Sequence, residues 1–402
     1  RAAITVYKQQ HPEVDVAFTV AIPEGTEDVS TARNDALTQL NTELLAGDGP
    51  DLLILNGVNY ETYAEKGLLA DLGDTVPLTE LQANLTDPFV EEGKAYVLPA
   101  RFSVPVLIGD AGTLDGLTDL ASMQQAVLDA ASRPDFGDES PDLYEGLPEG
   151  EKFALRLTSA EDLADFLLPT CAGTILQGDT VNEDALRQVM EFVQTVSDYY
   201  GMRNYTMENN TESWSGTDPI EVTPEQSEYT TSSHAKYGWF SMDTPFAVMA
   251  AARRENPMDY QAEEVPFEMI LRPGLSAGAY TPKVLVGVNA NGAHLEETKQ
   301  LAASFFDTEV QGTYLSDGIT VRADCLQEKV DAVLQNGQYS AETFKGDLSA
   351  LLNQCTMPVS VPALLRDSFV NHADAIIQGT ERAEDAVQGV LSDITLYLAE
   401  QK

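Results

Sequence analysis

The residues in this chain best spaced for covalent chemistry are Gly274-Leu275-Ser276-Ala277-Gly278. The spacing is G-x-S-x-G, in which a tight turn between a strand and a helix lifts a serine out as a nucleophile. Residues 269–271 could supply the strand, and Asp307 or Asp324 followed by His372 keeps the order Ser, Asp, His. The segment after the motif does not suit it. Tyr280-Thr281-Pro282 leads into Val284-Leu285-Val286, a strand where the elbow needs a helix. The expected reading is a Gly/Ser loop between strands, and a serine hydrolase using Ser276 stands as the alternative function.

Other chemical fragments are incomplete. Asp135-Phe136-Gly137 spells a kinase metal-binding tripeptide with no glycine-rich or catalytic loop to accompany it. Asp135, Asp138, Glu139 and Asp142 lack the spacing of an EF-hand, so a solvated acidic loop is expected. His294 and Glu296 resemble half of a zinc-deaminase signature, but no paired cysteines follow. The remaining histidines, His11, His234 and His372, are scattered. No catalytic residue, metal site or cofactor is expected. What remains is recognition: Trp214, Tyr229, Tyr237, Trp239 and Phe240 cluster in the sequence. Flat aromatic faces cover the apolar side of a sugar ring, while carboxylates, amides and guanidinium groups meet its hydroxyls. Each of these aromatics serves equally well as core packing.

Composition narrows the partners. The chain has 402 residues, 23 Lys and Arg against 65 Asp and Glu, and a formal net charge of −42. Phosphate binding needs a basic face, so nucleic acid is excluded and anionic lipid headgroups are disfavoured. A hydrophobic fraction of 43% supports a sizeable core. The length suits about two to three domains. No apolar run approaches the ~20 residues that span a bilayer. The first residues lack the apolar core of an export signal, which an exported protein would have lost by processing. Cys171, Cys325 and Cys355 are too few for a disulfide framework, and their odd number leaves at least one thiol free.

The elements that must position any site follow from hydrophobic periodicity. Residues 2–10 read as a helix stopped by His11-Pro12. Val14, Val16, Phe18 and Val20 alternate as a strand would. Ser30 or Thr31 caps a helix with Leu37, Leu40 and Leu44 on one stripe and Gly47 beyond its end. The unbroken apolar run 52–55 predicts a strand covered on both faces in a parallel sheet, completing a βαβ unit. Residues 112–200 read as helices, including 161–168 and 183–199, and 204–233 as a polar surface excursion. Strands return at 268–271 and 284–288, followed by a helix at 296–306. Two further helical stripes are Leu365, Phe369, Ala373 and Ile376, stopped by Gly379, and Val387, Val390, Leu391, Ile394 and Leu398.

Such α/β character, fading and then returning, is the order that two interleaved lobes produce. The expected linkers are the Pro-containing extended runs 98–108 and 240–246. The expected division is 1–103 with 246–318 as the N-terminal lobe, and 104–245 with 319–402 as the C-terminal lobe.

The stretch Leu44-Leu45-Ala46-Gly47-Asp48-Gly49-Pro50-Asp51-Leu52-Leu53-Ile54-Leu55, followed by Ala64-Glu65-Lys66-Gly67-Leu68-Leu69-Ala70-Asp71-Leu72, resembles the bacterial extracellular solute-binding proteins of ABC importers. It is most similar to the group that includes maltose-binding protein. Tyr96-Val97-Leu98-Pro99, residues 238–246, 291–306 leading into Glu309-Val310-Gln311, and Met357-Pro358 before the helix 362–379 match in the same order.

The resemblance implies an α/β, periplasmic-binding-protein-like fold of two interleaved lobes joined by hinge crossings. It implies a monomeric receptor that captures a small solute, usually a mono- or oligosaccharide, and delivers it to an ABC-transporter permease. The protein would work outside the cell, as a membrane-anchored lipoprotein or in the periplasm. The implied ligand residues are Asn56, Gly57, Asn59 and Tyr60 in the loop after the 52–55 strand, and Arg101 and Ser103 at the first crossing. Trp239, Asp243 and Phe246 join them at the second crossing, with Ser159, Glu161 and Asp162 at a helix start and Tyr280 from the returning lobe. The loop position has independent logic, since ligands bind outside the carboxyl ends of strands in open α/β sheets. Two departures stand out. Family members begin with a strand before the first helix, whereas this chain opens inside that helix, so that strand and its loop are expected to be missing. The ligand loop carries Asn56-Gly57-Val58-Asn59 in place of the maltose receptor's charged pair, which points away from maltose.

Overall fold

A computed structural model describes residues 2–23, 25–26, 29–130, 154–155, 157, 159–178, 180–200, 236–250, 253–254, 264–313, 317–335 and 343–400. The chain divides into two compact units, Arg1–Ser103 with Pro282–Lys329 and Val104–Thr281 with Val330–Lys402. The backbone passes from one unit to the other inside the strands Val97–Asp110 and Ala279–Val288, and again inside the helix Ala323–Gln335.

In the first unit, the Ala2–Gln10 helix buries Ala3, Val6 and Tyr7, and the Tyr7 hydroxyl donates to Glu297 O at 3.2 Å. The Val29–Ala46 helix is followed by Gly47 at φ +79°, a left-handed conformation that suits glycine just past a helix end. The sheet runs in the order Leu52–Ile54, the second half of Ala279–Val288, the first half of Val97–Asp110, and Ile319–Thr320. Its core gathers Leu44, Leu53, Leu55, Tyr63, Leu68, Leu69, Val97 and Leu285.

Two expectations for this unit are corrected. The alternating run 14–20 joins no ladder, and Phe18 and Val20 are 60% and 53% exposed. Alternation favours a strand only where a neighbouring edge takes up the backbone groups. The run 52–55 pairs antiparallel, Leu52 opposite Val288 and Ile54 opposite Val286, and Ile54 is 43% exposed. The expected parallel βαβ unit is therefore not formed among the described residues.

In the second unit, the second half of Val97–Asp110 is paired antiparallel on both sides. Tyr237–Met242 runs from Gly109 to Val104, and Phe267–Leu271 from Asp110 to Val106. Val104, Val106, Leu107 and Ile108 along this stretch have no exposed surface. The helices Leu120–Leu128, Ala160–Ile175, Glu183–Tyr200, Ala363–Ile377 and Ala383–Glu400 bury one continuous core. The stripe Leu365, Phe369, Ala373 and Ile376 lies in it, as its spacing predicts, and Gly379 at φ +69° follows the helix. Starts are capped by side chains: Asp119 accepts from Ser122 N, and Ser159 from Asp162 N.

The Ala160–Ile175 helix runs seven residues past its expected end at 168, straight through Pro169. Proline has no N–H to donate, so the carbonyl of Asp165 loses its helical partner. Arg272 supplies the missing donor. Its Nη1 gives hydrogen bonds to Asp165 O at 2.8 Å and Phe166 O at 2.9 Å. The 272–278 loop then lies along the same helix, with Ser276 N donating to Thr170 O at 2.8 Å.

The observed division differs from the expected lobes in two segments. Residues 246–281 go with the second unit, because Phe267–Leu271 pairs with residues 106–110. Residues 319–329 go with the first, because Ile319 and Thr320 pair with Phe102 and Arg101.

A Cβ at Gly274 would lie 2.2 Å from Thr170 Oγ1 and 2.7 Å from Thr170 O. Gly274→Ala is accordingly expected to destabilise the chain by about 3 kcal/mol, read as a lower urea midpoint. An unchanged midpoint would mean that the loop does not lie on the helix.

Candidate functional site

The loop after Leu52–Ile54 is shaped by its own side chains. Leu55 N donates to Leu285 O at 2.8 Å, and Asn56 Oδ1 then accepts from Leu285 N at 2.8 Å, so the Asn56 amide closes the ladder where the backbone turns away. Gly57 follows at φ +69°. Asn56, Gly57 and Asn59 are exposed; Tyr60 is half-buried, its ring 6.1 Å from that of Phe89. Burial, reinforced by the Glu61 carboxylate, raises the Tyr60 hydroxyl above its ordinary pKa, so it is a neutral donor.

Arg101 and Ser103, in the same unit, are each 2% exposed. Arg101 Nη2 donates to Val310 O at 2.9 Å, Nη1 to Gln311 O at 3.3 Å, and Nε lies 3.5 Å from an Asp317 carboxylate oxygen. Lys329 Nζ donates to Gln311 O at 3.1 Å and Thr313 O at 3.0 Å. The Gln311 side chain is the third member. Its Nε2 donates to Ala100 O and Phe305 O, and its Oε1 accepts from the Thr320 hydroxyl. Burial lowers the pKa of both cations, Arg101 adding to the effect on Lys329. This cluster ties residues 308–313, 317–320 and Lys329 to the strand at Ala100 and Arg101. Gln311, Thr320 and Lys329 carry no sequence signal for such a role, because their partners are distant in sequence.

In the second unit, Ser159 caps the Ala160–Ile175 helix, Glu161 is exposed and Asp162 half-buried. Phe166, one turn beyond Asp162, meets Trp239 edge-to-face at 5.5 Å and 78°. Trp239 is half-buried and sits on Tyr237–Met242 opposite Leu107. The Arg272 guanidinium lies 5.1 Å from the Trp239 ring centre and 5.2 Å from that of Phe166. Asp243 and Phe246 follow the strand and are half-buried, with Phe246 N 3.4 Å from Thr244 Oγ1. Tyr280 is fully buried, its carbonyl accepting from Val359 N at 2.8 Å. The helix start, Trp239 and the 243–246 turn thus belong to one unit, and the 56–60 loop to the other.

The nucleophile-elbow reading does not survive. Ser276 is buried, its hydroxyl is 2.8 Å from Thr174 Oγ1, and the strand Ala279–Val288 follows where a helix is required. His372 is engaged elsewhere, with Nδ1 2.7 Å from Glu381 Oε2 and Nε2 3.6 Å from Asp393 Oδ2. The motif's glycines answer to packing instead: Gly274 against Thr170, and Gly278, at φ +70°, against Gln354 O. The three cysteines are buried and form no disulfide, and burial pushes the Cys171 thiol up to about 11 and Cys355 to about 12. Asp135, Asp138, Glu139, Asp142, Trp214, Tyr229 and His234 lie outside the described residues. Among the described residues no helix is long and apolar enough to cross a membrane.

Removing Arg101 deletes two hydrogen bonds from a charged donor to the Val310 and Gln311 carbonyls, so Arg101→Met is expected to cost about 2 kcal/mol in urea unfolding. Unchanged stability would release Arg101 from this structural role.

The family model of bacterial extracellular solute-binding proteins matches residues 27–337. No curated protein sequence matches the chain. Among solved structures, an extracellular solute-binding protein family 1 member from Alicyclobacillus acidocaldarius superposes with a TM-score of 0.56 at 12% identity, covering 99% of this chain and 94% of the other. An ABC substrate-binding protein of Listeria monocytogenes, in complex with cycloalternan, gives 0.55 at 16% identity, covering 99% and 95%. An ABC-transporter solute-binding protein of Thermotoga lettingae, bound with α-D-tagatose, gives 0.53 at 14% identity, covering 98% and 94%. At such identities the likenesses establish the α/β, periplasmic-binding-protein-like fold. The family model establishes more: a binding component of transport rather than an enzyme. The chain belongs to the bacterial extracellular solute-binding proteins.

Proposed function

We propose that the chain captures a mono- or oligosaccharide outside the cell and passes it to the permease of an ABC importer. The observation that carries this reading is the half-buried Trp239 indole, backed by Phe166 and Arg272 and in the same unit as Glu161, Asp162 and Asp243. An indole offers a flat apolar face to the C–H side of a pyranose, and carboxylates accept from its hydroxyls. The cycloalternan and tagatose complexes of similar folds, and a third with raffinose, support a sugar as the solute class.

The contacts come from Asn56, Gly57, Asn59 and Tyr60 in one unit. Ser159, Glu161, Asp162, Trp239, Asp243 and Phe246 supply them in the other. Arg101, Ser103 and Tyr280, being buried, act from behind. The mechanism is hinge closure about the strand crossings, the sugar drawing the population towards the form in which both units hold it. The protein acts as a monomer, held near its permease as a lipoprotein or free in the periplasm.

A thermal-shift screen of mono- and oligosaccharides tests this. At least one sugar is expected to raise the melting temperature, because it binds the folded form alone, and to shrink the scattering radius. Trp239→Ala is expected to weaken that sugar by at least about tenfold, the loss of a central aromatic anchor. A screen without any shift, or full affinity in Trp239→Ala, would contradict the reading.

A further inference from the structure

Arg272 is 3% exposed, and among the described residues no carboxylate lies within ion-pair contact of its guanidinium, Asp165 acting on it only from further off. The nearby Asp165 carboxylate bonds Arg366 instead, at 3.0 Å. Three carbonyls hold the group: Asp165 O at 2.8 Å and Phe166 O at 2.9 Å from Nη1, and Phe240 O at 2.9 Å from Nη2. Its Nε has no hydrogen-bond partner. A cation buried in this way is costly, and an apolar side chain would fill the space at lower cost. Pro169 accounts for one of the three bonds, since it strips the Asp165 carbonyl of its helical donor. It does not account for the other two features, the bond to Phe240 and the stacking between the rings of Phe166 and Trp239 at 5.2 and 5.1 Å.

Those features converge on one side chain. Phe240 is the residue after Trp239, so its carbonyl anchors the strand where the indole leaves it. The guanidinium lies over the indole and Phe166 meets it edge-to-face. Backbone and ring are therefore fixed by a single planar group. Only a fork with several donors and a flat face does both, and a lysine ammonium has no such plane. We infer that Arg272 is the positioning residue of the sugar platform, locking the Trp239 indole in one orientation against the proline-interrupted helix. The inference rests on the reading of Trp239 as a sugar contact. The locking itself is open to test without any sugar.

The chain has two tryptophans, so Trp214→Phe makes Trp239 the sole emitter. In that parent, Arg272→Met removes the fork. Adding Pro169→Ala returns an N–H to Asp165 O and restores the helix. The double variant is expected to regain the parent's melting temperature yet show at least twofold stronger acrylamide quenching of Trp239 and a flattened near-ultraviolet indole signal. For whichever of raffinose, tagatose and cycloalternan the parent binds, affinity is expected to fall at least tenfold. Arg272→Lys, a milder change should the methionine variants fail to fold, is expected to show the same quenching. Parental quenching and affinity in a variant with the parent's melting temperature would overturn the inference. If the parent binds neither these nor any other sugar of the thermal-shift screen, the sugar reading fails, and the quenching result alone decides whether Arg272 locks the indole.

Discussion

A helix that continues through a proline must find its missing hydrogen bond somewhere else, and in the second unit that requirement is met by Arg272. The consequences spread outward from the Asp165 carbonyl. The donor comes from the residue after the strand Phe267–Leu271, so the strand must end within reach of the helix. Glycine is required at 274, because the loop that follows has no room above Thr170. The same guanidinium reaches Phe240 and stacks on Trp239, which couples a backbone repair to the placement of the aromatic ring proposed to face sugar.

The first unit solves a similar problem with similar means. Arg101 and Lys329 converge on the carbonyls of Val310, Gln311 and Thr313, and Gln311 links them to the sheet at Ala100. Lys299, also buried, reaches Asp74 at 2.6 Å. In a chain with 65 acidic side chains and 23 Lys and Arg, several cations are thus placed inside, Arg101, Lys329 and Arg272 as donors to main-chain oxygens and Lys299 to a carboxylate. Buried carbonyls favour this use, since an orphaned one costs more than the hydrogen bond itself. The surplus of carboxylates is left for solvent, where it serves solubility.

Much of this architecture was legible in local sequence. The 2–10 helix, the stop at Gly47 and the buried stripe from Leu365 to Ile376 are all short-range patterns, and each appears where periodicity and capping place it. What was not legible depends on distant contacts. No pattern around Pro169 announces a donor 103 residues further on (272 − 169), so the helix was expected to stop early. The run 14–20 has the composition of a strand, yet strand formation depends on a neighbouring edge, which its own residues cannot specify. The apolar run 52–55 read as a strand covered on both faces, whereas its antiparallel partner leaves Ile54 exposed. Among the site residues, the loop 56–60 and Trp239 are recognisable by type and position. The commitments of Arg101, to Val310 and Gln311, and of Tyr280, to Val359, emerge only from the folded chain.

The central claim is that a sugar lies against Trp239. Its most direct measurement is a titration of the Trp214→Phe chain with sugar, following Trp239 emission alongside calorimetric heat. The account predicts a saturable shift in emission with the same midpoint as the heat and one sugar per chain. Heat of binding with no change in Trp239 emission would place the solute elsewhere and contradict it.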